Sequence, residues 1–124
     1  MSIFVCPLSQ VEAAIARWRP SHVVSVLDPG SPFPELGDAY TDRHLRLSFH
    51  DAHAAGAGIT LATAEHMASL LDFVRRWNAA GPLLVHCRAG IGRSTATAFA
   101  IACAQHPAVP ELEIARALRR VAPF

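Results

Sequence analysis

The chain has 124 residues, of which 52% are hydrophobic and 17% are charged, and its formal net charge is +1. This length suits a single domain covering residues 1–124, and the composition excludes a disordered chain. The near-neutral charge argues against nucleic acid or an anionic membrane surface as a partner.

The three cysteines, Cys6, Cys87 and Cys103, have neither an even count nor a metal-type spacing. We therefore expect reduced thiols and a cytoplasmic protein. The N-terminus lacks the basic start and long apolar stretch of a signal peptide, and no apolar run is long enough to span a bilayer. Every basic residue is arginine, which together with the abundant alanine favours a GC-rich bacterial source.

The first elements are a short strand and an amphipathic helix. Residues 3–5 are apolar and predict the strand. Ser9 and Glu12 form a capping-box pattern that predicts the start of the helix, and Pro20 ends it. One face of this helix carries Val11, Ala14, Ile15 and Trp18.

Two further strands follow. Residues 22–27 are β-branched and end at a turn that begins with Asp28. Residues 29–38, rich in proline and glycine, predict an irregular loop. Residues 44–50 alternate apolar and polar side chains, which predicts a strand that Asp51 follows directly.

A longer helix is predicted from Thr60, as N-cap, to about Asn78. Its predicted buried stripe consists of Met67, Leu70, Leu71, Val74 and Trp77. Residues 82–85 predict a strand, and residues 95–102 a helix so apolar all round that we expect it to be buried in the middle of the domain. A last helix is predicted from Pro110.

Strands that alternate with helices in this way predict an α/β fold. The expected architecture is a central, mainly parallel sheet of about four strands with helices on both faces.

The most informative stretch runs from His86 to Ser94 and reads His-Cys-Arg-Ala-Gly-Ile-Gly-Arg-Ser. Backbone N–H groups of such a loop point inward and the following helix dipole adds positive potential, so an oxyanion is its natural occupant. Arg93 can hold two oxygens of that anion side by side. The same field is expected to lower the pKa of the Cys87 thiol below about 8.5. The predicted anion-binding residues are Arg88, Ala89, Gly90, Ile91, Gly92 and Arg93.

These residues resemble the signature of the cysteine-based protein tyrosine phosphatases, His-Cys-(five residues)-Arg-Ser/Thr, and they fill every fixed position. Residues 21–27, 45–51 and 110–123 also follow the order seen in small dual-specificity phosphatases, and a bacterial tyrosine phosphatase-like branch is equally compatible. The resemblance implies hydrolysis of phosphate monoesters through a phosphocysteine on Cys87. Family members usually continue past the position of Phe124.

Two residues of the signature are expected to assist Cys87. His86 is placed to form a hydrogen bond within the loop and orient it, and a buried core histidine is the simpler interpretation. Ser94 can donate a hydrogen bond to the Cys87 sulfur, which eases departure of the thiolate from the phosphocysteine. A plain helix N-cap is the simpler interpretation of Ser94.

Asp51 is the predicted proton donor to the leaving oxygen, because it stands at a strand end and begins a loop that can close over bound phosphate. In the resembling family the acid likewise follows a strand and precedes the cysteine. The Trp-Pro pair of the larger tyrosine phosphatases is missing, and His50 and Ala52 flank Asp51 instead, which resembles the dual-specificity branch. Rival donors are Asp28, Asp38, Asp42, His50 and His53, with a structural role favoured for Asp28 in its turn.

The pattern His50-Asp51-x-His53 offers imidazole and carboxylate groups of the kind that bind zinc or iron. In an extended chain, however, His50 and His53 point to opposite faces, and no further ligand pair has helical spacing. We therefore expect neither a metal nor another cofactor.

Two other functions compete with the phosphatase. A rhodanese-like sulfurtransferase also has an active loop that begins Cys-Arg, but that loop is typically one residue shorter than the spacing from Cys87 to Arg93. A catalytically impaired phosphate-binding module is the other alternative, and the intact Cys87, Arg93 and Ser94 argue against it. Low-molecular-weight phosphatases and arsenate reductases place the cysteine near the N-terminus, unlike Cys87.

The substrate is expected to be a phosphoprotein, because lipid and inositol phosphatases with similar loops often carry lysines where this chain has Ala89 and Ile91. Arg88, near the rim, would favour acidic neighbours. Tyr40, the only tyrosine, lies before the acid strand, and little sequence remains to build a second pocket wall. We therefore expect a shallow pocket that accepts phosphotyrosine and, measurably, phosphoserine and phosphothreonine.

Overall fold

Four short strands, rich in valine, leucine and isoleucine, form one fully parallel sheet. The computed structural model describes residues 3–51, 56–90 and 92–121, with side chains as far as residue 116. The strands are β1 (Ile3–Pro7), β2 (His22–Leu27), β3 (His44–Ser48) and β4 (Leu83–Cys87). They lie in the order β1-β4-β2-β3, and all three pairings are parallel. The predicted α/β class and parallel sheet are confirmed.

Within the described residues, four α-helices cover the two faces of this sheet unequally. They are α1 (Val11–Trp18), α2 (Ala64–Trp77), α3 (Arg93–Gln105) and α4 (Glu111–Val121). On one face α1 packs against alternate residues of the central strands in a small cluster. On the other face α2, α3 and α4 contribute to a larger cluster. Every residue of β4 is buried, as expected for a central parallel strand covered on both sides.

The start of α1 differs from the prediction. Residues Leu8–Gln10 form one turn of 3-10 helix, and Gln10 precedes α1 without a side-chain cap. The capping box predicted for Ser9 and Glu12 is therefore wrong, because the 3-10 turn moves the helix start past Ser9. At the other end Arg19 adopts the left-handed conformation and its N–H donates to the Ile15 carbonyl, just before Pro20.

The predicted start and stripe of α2 are also wrong in part. The helix is capped by Thr63 rather than Thr60: Thr63 Oγ1 accepts from the His66 N–H, while His66 Nδ1 accepts from the Thr63 N–H. Met67 and Leu71 are 42% and 39% exposed. The buried stripe of α2 consists of Leu70, Phe73, Val74 and Trp77. The helix is therefore rotated so that Phe73, and not Leu71, faces the sheet.

Only one side of α3 is buried, although its composition predicted burial all round. Its buried residues are Ser94, Thr97, Ala98, Ile101 and Ala102, whereas Ala96 is exposed. In a three-layer domain of this size α3 packs on the sheet and beside α4, which leaves a third side open to solvent. Small alanine side chains are compatible with both environments, so composition alone could not separate them.

The topology places several polar residues at one edge of the sheet. Asp28 directly follows β2, Asp51 lies shortly after β3, and Cys87 ends β4. Because the strands are parallel, their carboxyl ends meet at the same edge, where α/β proteins bind ligands. Among the described residues, no helix is long and apolar enough to cross a bilayer.

Candidate active site

Cys87 lies at the floor of the loop between β4 and α3 and is only 2% exposed. Its Sγ accepts the Gly90 N–H at 3.3 Å and lies 3.1 Å from Ser94 Oγ. A neutral thiol donates to Ser94 Oγ, and when Cys87 is a thiolate the Ser94 hydroxyl becomes the donor. Ser94 is fully buried inside α3, whose N-cap is Gly92. The simpler interpretation of Ser94 as the helix cap is therefore wrong.

The floor of this loop is pressed against the end of β1. Gly90 has φ +72°, and a Cβ there would lie 2.5 Å from Pro7 N and 2.7 Å from the Cys6 carbonyl carbon. The Leu8 N–H donates to the Arg88 carbonyl at 3.1 Å. Both the backbone conformation and the close approach of β1 require glycine at this position.

Arg93, the first residue of α3, is anchored at one end of its guanidinium group. Its Nη1 donates to Asp28 Oδ1 at 2.7 Å and to the Phe49 carbonyl at 2.8 Å. Its Nε is buried and has no hydrogen-bond partner within the described part of the chain. A buried charged donor left unpaired is costly, and a bound oxyanion would satisfy it.

Asp28 therefore does more than form the predicted turn, because its side chain also binds Arg93. The turn is present, since the Ser31 N–H donates to the Asp28 carbonyl, but the carboxylate also holds Arg93. The Asp28 side chain is 39% exposed and that of Arg93 is 9% exposed. The signal that could have found this contact is an acidic residue at the carboxyl end of a parallel strand neighbouring β4.

The structure brings Asp51 to the same edge, beside the start of α3. Asp51 is exposed, and a Cβ built on Gly92 would lie 2.5 Å from its Oδ2. The absence of a side chain at Gly92 therefore makes room for this carboxylate next to Arg93. Asp38 and Asp42 precede β3 and lie at its amino end, away from Cys87. Ala52, His53 and Ile91 lie outside the described residues.

His50 holds the base of the segment that begins with Asp51. Its N–H donates to the Thr60 carbonyl at 2.7 Å, and its Nδ1 accepts the Thr60 N–H at 2.9 Å. His50 is therefore engaged with backbone groups. Among the residues that the structure describes, no group of three His, Cys, Asp or Glu side chains is arranged to hold a metal ion.

His86 is fully buried behind the loop. Its Nε2 lies 2.5 Å from Ser25 Oγ, which in turn lies 2.7 Å from His44 Nε2. Burial lowers the pKa of His86 to about 4, and the adjacent Cys87 backbone opposes this in part. The geometry at Nδ1 nevertheless falls short of a full hydrogen bond with any described group. Sequence reasoning missed Ser25, whose only signal is a polar residue inside an apolar strand.

Two clefts flank the loop. A cleft of about 550 Å³ is lined by residues of α2 and α3 and by residues 49–51 and 61–62, and it includes Asp51 and Arg93. The other, of about 450 Å³, includes Asp28 and the exposed Arg88. Tyr40 lines neither cleft: its hydroxyl donates to the Pro20 carbonyl at 2.6 Å, near the end of α1.

Comparison with known proteins agrees with this arrangement. The sequence profile described as protein-tyrosine phosphatase matches residues 55–122, which is more than half of the chain. The sequence matches no curated protein significantly.

Several solved structures share the fold over nearly the whole chain. Human DUSP28 is 18% identical with a TM-score of 0.71, and the match covers 98% of this chain and 79% of that one. PTP-2 phosphatase of Cydia pomonella is 18% identical with a TM-score of 0.72, covering 98% and 76%. The human tyrosine phosphatase-like serine/threonine/tyrosine-interacting protein is 16% identical with a TM-score of 0.69, covering 97% and 79%.

Proposed function

Because the chain belongs to the protein-tyrosine phosphatase family, we propose that it is a cysteine-dependent protein phosphatase, with residues 1–124 as a single catalytic domain. The observation that supports this most directly is the pairing of two groups across one loop. Cys87 Sγ lies at the floor of the loop, and the buried, unpaired Nε of Arg93 lies at its end. A nucleophilic sulfur together with a cation that has an unpaired N–H donor can bind and attack a phosphate ester.

In the first step the Cys87 thiolate attacks the phosphorus of a phosphate monoester. The S–P bond forms, the bond from phosphorus to the ester oxygen breaks, and Asp51 protonates the departing oxygen. The N–H groups of the loop and Arg93 hold the remaining phosphate oxygens, where negative charge must be stabilised. Asp28 and the Phe49 carbonyl fix one end of the guanidinium group through Nη1, which leaves the unpaired Nε available to the anion.

In the second step water hydrolyses the phosphocysteine. Asp51, now a carboxylate, accepts a proton from the water as its oxygen attacks phosphorus. The S–P bond breaks and the electron pair returns to sulfur. The Ser94 hydroxyl, 3.1 Å from that sulfur, donates a hydrogen bond to the departing thiolate. His86 supports the loop from behind.

The proposed substrates are phosphotyrosine proteins, with slower hydrolysis of phosphoserine and phosphothreonine. Tyr40 is held by Pro20 and so is not available as a wall that would exclude the shorter side chains. Arg88 is exposed on the rim and would favour acidic residues beside the phosphorylated one.

The test is hydrolysis of an aryl phosphate and of matched phosphopeptides by the purified protein. Cys87→Ser should abolish turnover while retaining phosphopeptide binding, because a serine hydroxyl is not ionised at neutral pH. Cys103→Ser is the matched control: it makes the same chemical change on α3, away from the loop, and should leave the rate unchanged.

Two results would contradict the proposal. Phosphopeptide binding by the unmodified protein without any turnover would identify a phosphate-binding module. Transfer of sulfur from thiosulfate to cyanide, with no release of phosphate, would identify a sulfurtransferase.

A further inference from the structure

A hydrogen-bonded chain crosses the sheet behind the Cys87 loop. Ser25 Oγ lies 2.5 Å from His86 Nε2 and 2.7 Å from His44 Nε2. The three residues stand on β2, β4 and β3, so the chain runs from the edge strand to the residue before Cys87. Ser25 and His86 are paired in register and are both fully buried. No step of the proposed reaction uses Ser25 or His44.

Because the Ser25 hydroxyl has a single proton, the donor and the acceptor in these two hydrogen bonds can be assigned. The Ser25 hydroxyl has one proton, so it donates to one imidazole and accepts from the other. Because Nε2 is already paired with Ser25, the nitrogen left for the Cys87 backbone is Nδ1, although the geometry there falls short of a full hydrogen bond. That backbone raises the pKa of His86, so it acts as an acceptor and favours a proton on Nδ1. His86 Nε2 then accepts from Ser25, and Ser25 accepts from His44 Nε2–H.

The His86 imidazole is neutral at physiological pH, as this assignment requires of its Nε2, because burial lowers its pKa to about 4. Burial lowers the pKa of His44 to about 4, and Arg46 and His86 contribute to that lowering. A second proton on His86 would occupy Nε2 and remove the acceptor for the Ser25 hydroxyl, whereas His44 can donate from Nε2 to Ser25 in either charge state.

We propose that His44 is a positioning residue for the Cys87 loop: through Ser25 it keeps the proton of His86 on Nδ1, facing the Cys87 backbone. Without the His44 donor, Ser25 is free to rotate and His86 can exchange tautomers. A lone pair on Nδ1 would then face the Cys87 backbone, and the loop that presents Sγ would lose its support. The catalytic part of this inference rests on the proposed phosphatase activity, whereas the tautomer does not.

Other ionisable groups lie near these hydrogen bonds, and their effects on a pH profile have to be distinguished from those of His44 and His86. Burial raises the pKa of the Cys6 thiol, which is paired in register with His86, to about 11, so Cys6 stays protonated in the working range. Arg46 is paired in register with Ser25. α1 faces this side of the sheet with apolar residues. A cavity of about 210 Å³ beside His44 also contains Glu35, Asp38 and Tyr40.

The variants are His44→Leu, Ser25→Ala, their combination, and His44→Gln, which returns an amide N–H near the position of Nε2. The matched control is His22→Leu. His22 Nδ1 lies 2.9 Å from Ser21 Oγ, so it is another partly buried histidine–serine pair, but it stands at the amino end of β2, away from the loop. The readouts are the pH dependence of kcat/KM and the pH dependence of Cys87 alkylation by iodoacetamide. In the unmodified protein, ¹⁵N NMR identifies the His86 tautomer.

We expect His44→Leu and Ser25→Ala each to lower kcat/KM by about threefold to tenfold, the effect of one neutral hydrogen bond, and to shift Cys87 alkylation to higher pH. The double variant should be no worse than Ser25→Ala, His44→Gln should recover most of the loss, and His22→Leu should change neither profile. NMR should show the proton of His86 on Nδ1.

The inference is overturned by a His86 proton on Nε2, by losses that multiply in the double variant, or by an unchanged alkylation profile in His44→Leu. The NMR result stands even where a variant fails to fold. If the protein hydrolyses no phosphate ester, the proposed function fails, and alkylation and NMR still decide the role of His44.

Discussion

The floor and the rim of the site are built in opposite ways. At the floor, Cys87 and Ser94 are buried, Gly90 is pressed against β1, and His86 is enclosed behind them. At the rim, Asp51 and Arg88 are exposed. The Asp51 segment, in contrast, is held at its base by two hydrogen bonds between His50 and Thr60, one of them to the His50 side chain.

This difference matches the two demands on such a site. Donors that stabilise developing negative charge are effective only when they are already in position, which favours a packed floor. A proton donor has to let the substrate enter and the product leave, which favours an exposed segment at a strand end. Changes at the floor should therefore affect every substrate, and changes at the rim should depend on the leaving group.

The largest effect is expected where the floor meets the anion. Arg93→Lys should lower kcat/KM by about a thousandfold, the upper range for loss of one charge-stabilising donor, because lysine cannot hold both Asp28 and the phosphate. Steady-state kinetics with an aryl phosphate measures this. Arg88→Lys, the same change at the exposed rim, should stay within a few-fold. A loss below tenfold in Arg93→Lys would mean that the guanidinium group does not clamp the substrate.

A comparison of two glycines tests the packing of the floor. Gly90→Ala should lower the free energy of unfolding by about 3 kcal/mol or more, since backbone strain and a clash with Pro7 add together. Gly30 has φ +87°, but a Cβ there would meet no atom within 4 Å, so Gly30→Ala should cost only the strain, about 1 kcal/mol. Urea unfolding measures both. Equal costs would show that β1 does not restrict the loop.

At the rim, Asp51→Asn should slow esters with poor leaving groups by about a hundredfold and barely affect activated aryl phosphates. It should also flatten the falling limb of the pH–rate profile. Asp42→Asn, at the amino end of β3, is the matched control and should leave the hydrolysis rates and the pH–rate profile unchanged. Asp28→Asn should reduce all substrates alike, because Asp28 acts through Arg93. A leaving-group dependence in Asp28→Asn instead would assign the acid to Asp28.

The smallest effect concerns the buried histidines behind the floor. A histidine in the unfolded chain has a pKa of about 6.5, whereas burial lowers the pKa of His86 and of His44 to about 4. The unfolded chain therefore binds more protons between these values, and stability that is present above pH 6.5 is lost as the pH falls towards 4. His86 should contribute about 2 kcal/mol of this loss between pH 7 and pH 5, and His44, which is only partly buried, should contribute less.

Urea unfolding at pH 7 and pH 5 measures this difference. His44→Leu should reduce the pH dependence, because it removes one of the histidines behind the loop whose pKa burial lowers. An unchanged dependence in His44→Leu would show that His44 titrates equally in the folded and unfolded chains.

Sequence patterns predicted the sheet well because strand and helix periodicities are local. The alternation of apolar residues in β3 and the β-branched run in β2 identify strands without knowledge of their neighbours. The predicted start of α2 was wrong because Thr60 and Thr63, considered as isolated residues, are equally good N-caps. In the structure Thr60 instead pairs with the backbone and side chain of His50, and Thr63 caps the helix.

Three features follow from local sequence patterns: the α/β class, the place of the Cys87 loop between a strand and a helix, and the residue types that suit an oxyanion. These depend on spacing over a few residues, where the chain's own geometry decides which groups are close. The tertiary structure alone decided that Asp28 holds Arg93 and that Ser25 joins His44 to His86. Those partners are far apart in the chain, and they meet because parallel pairing sets β2 between β3 and β4 in one register.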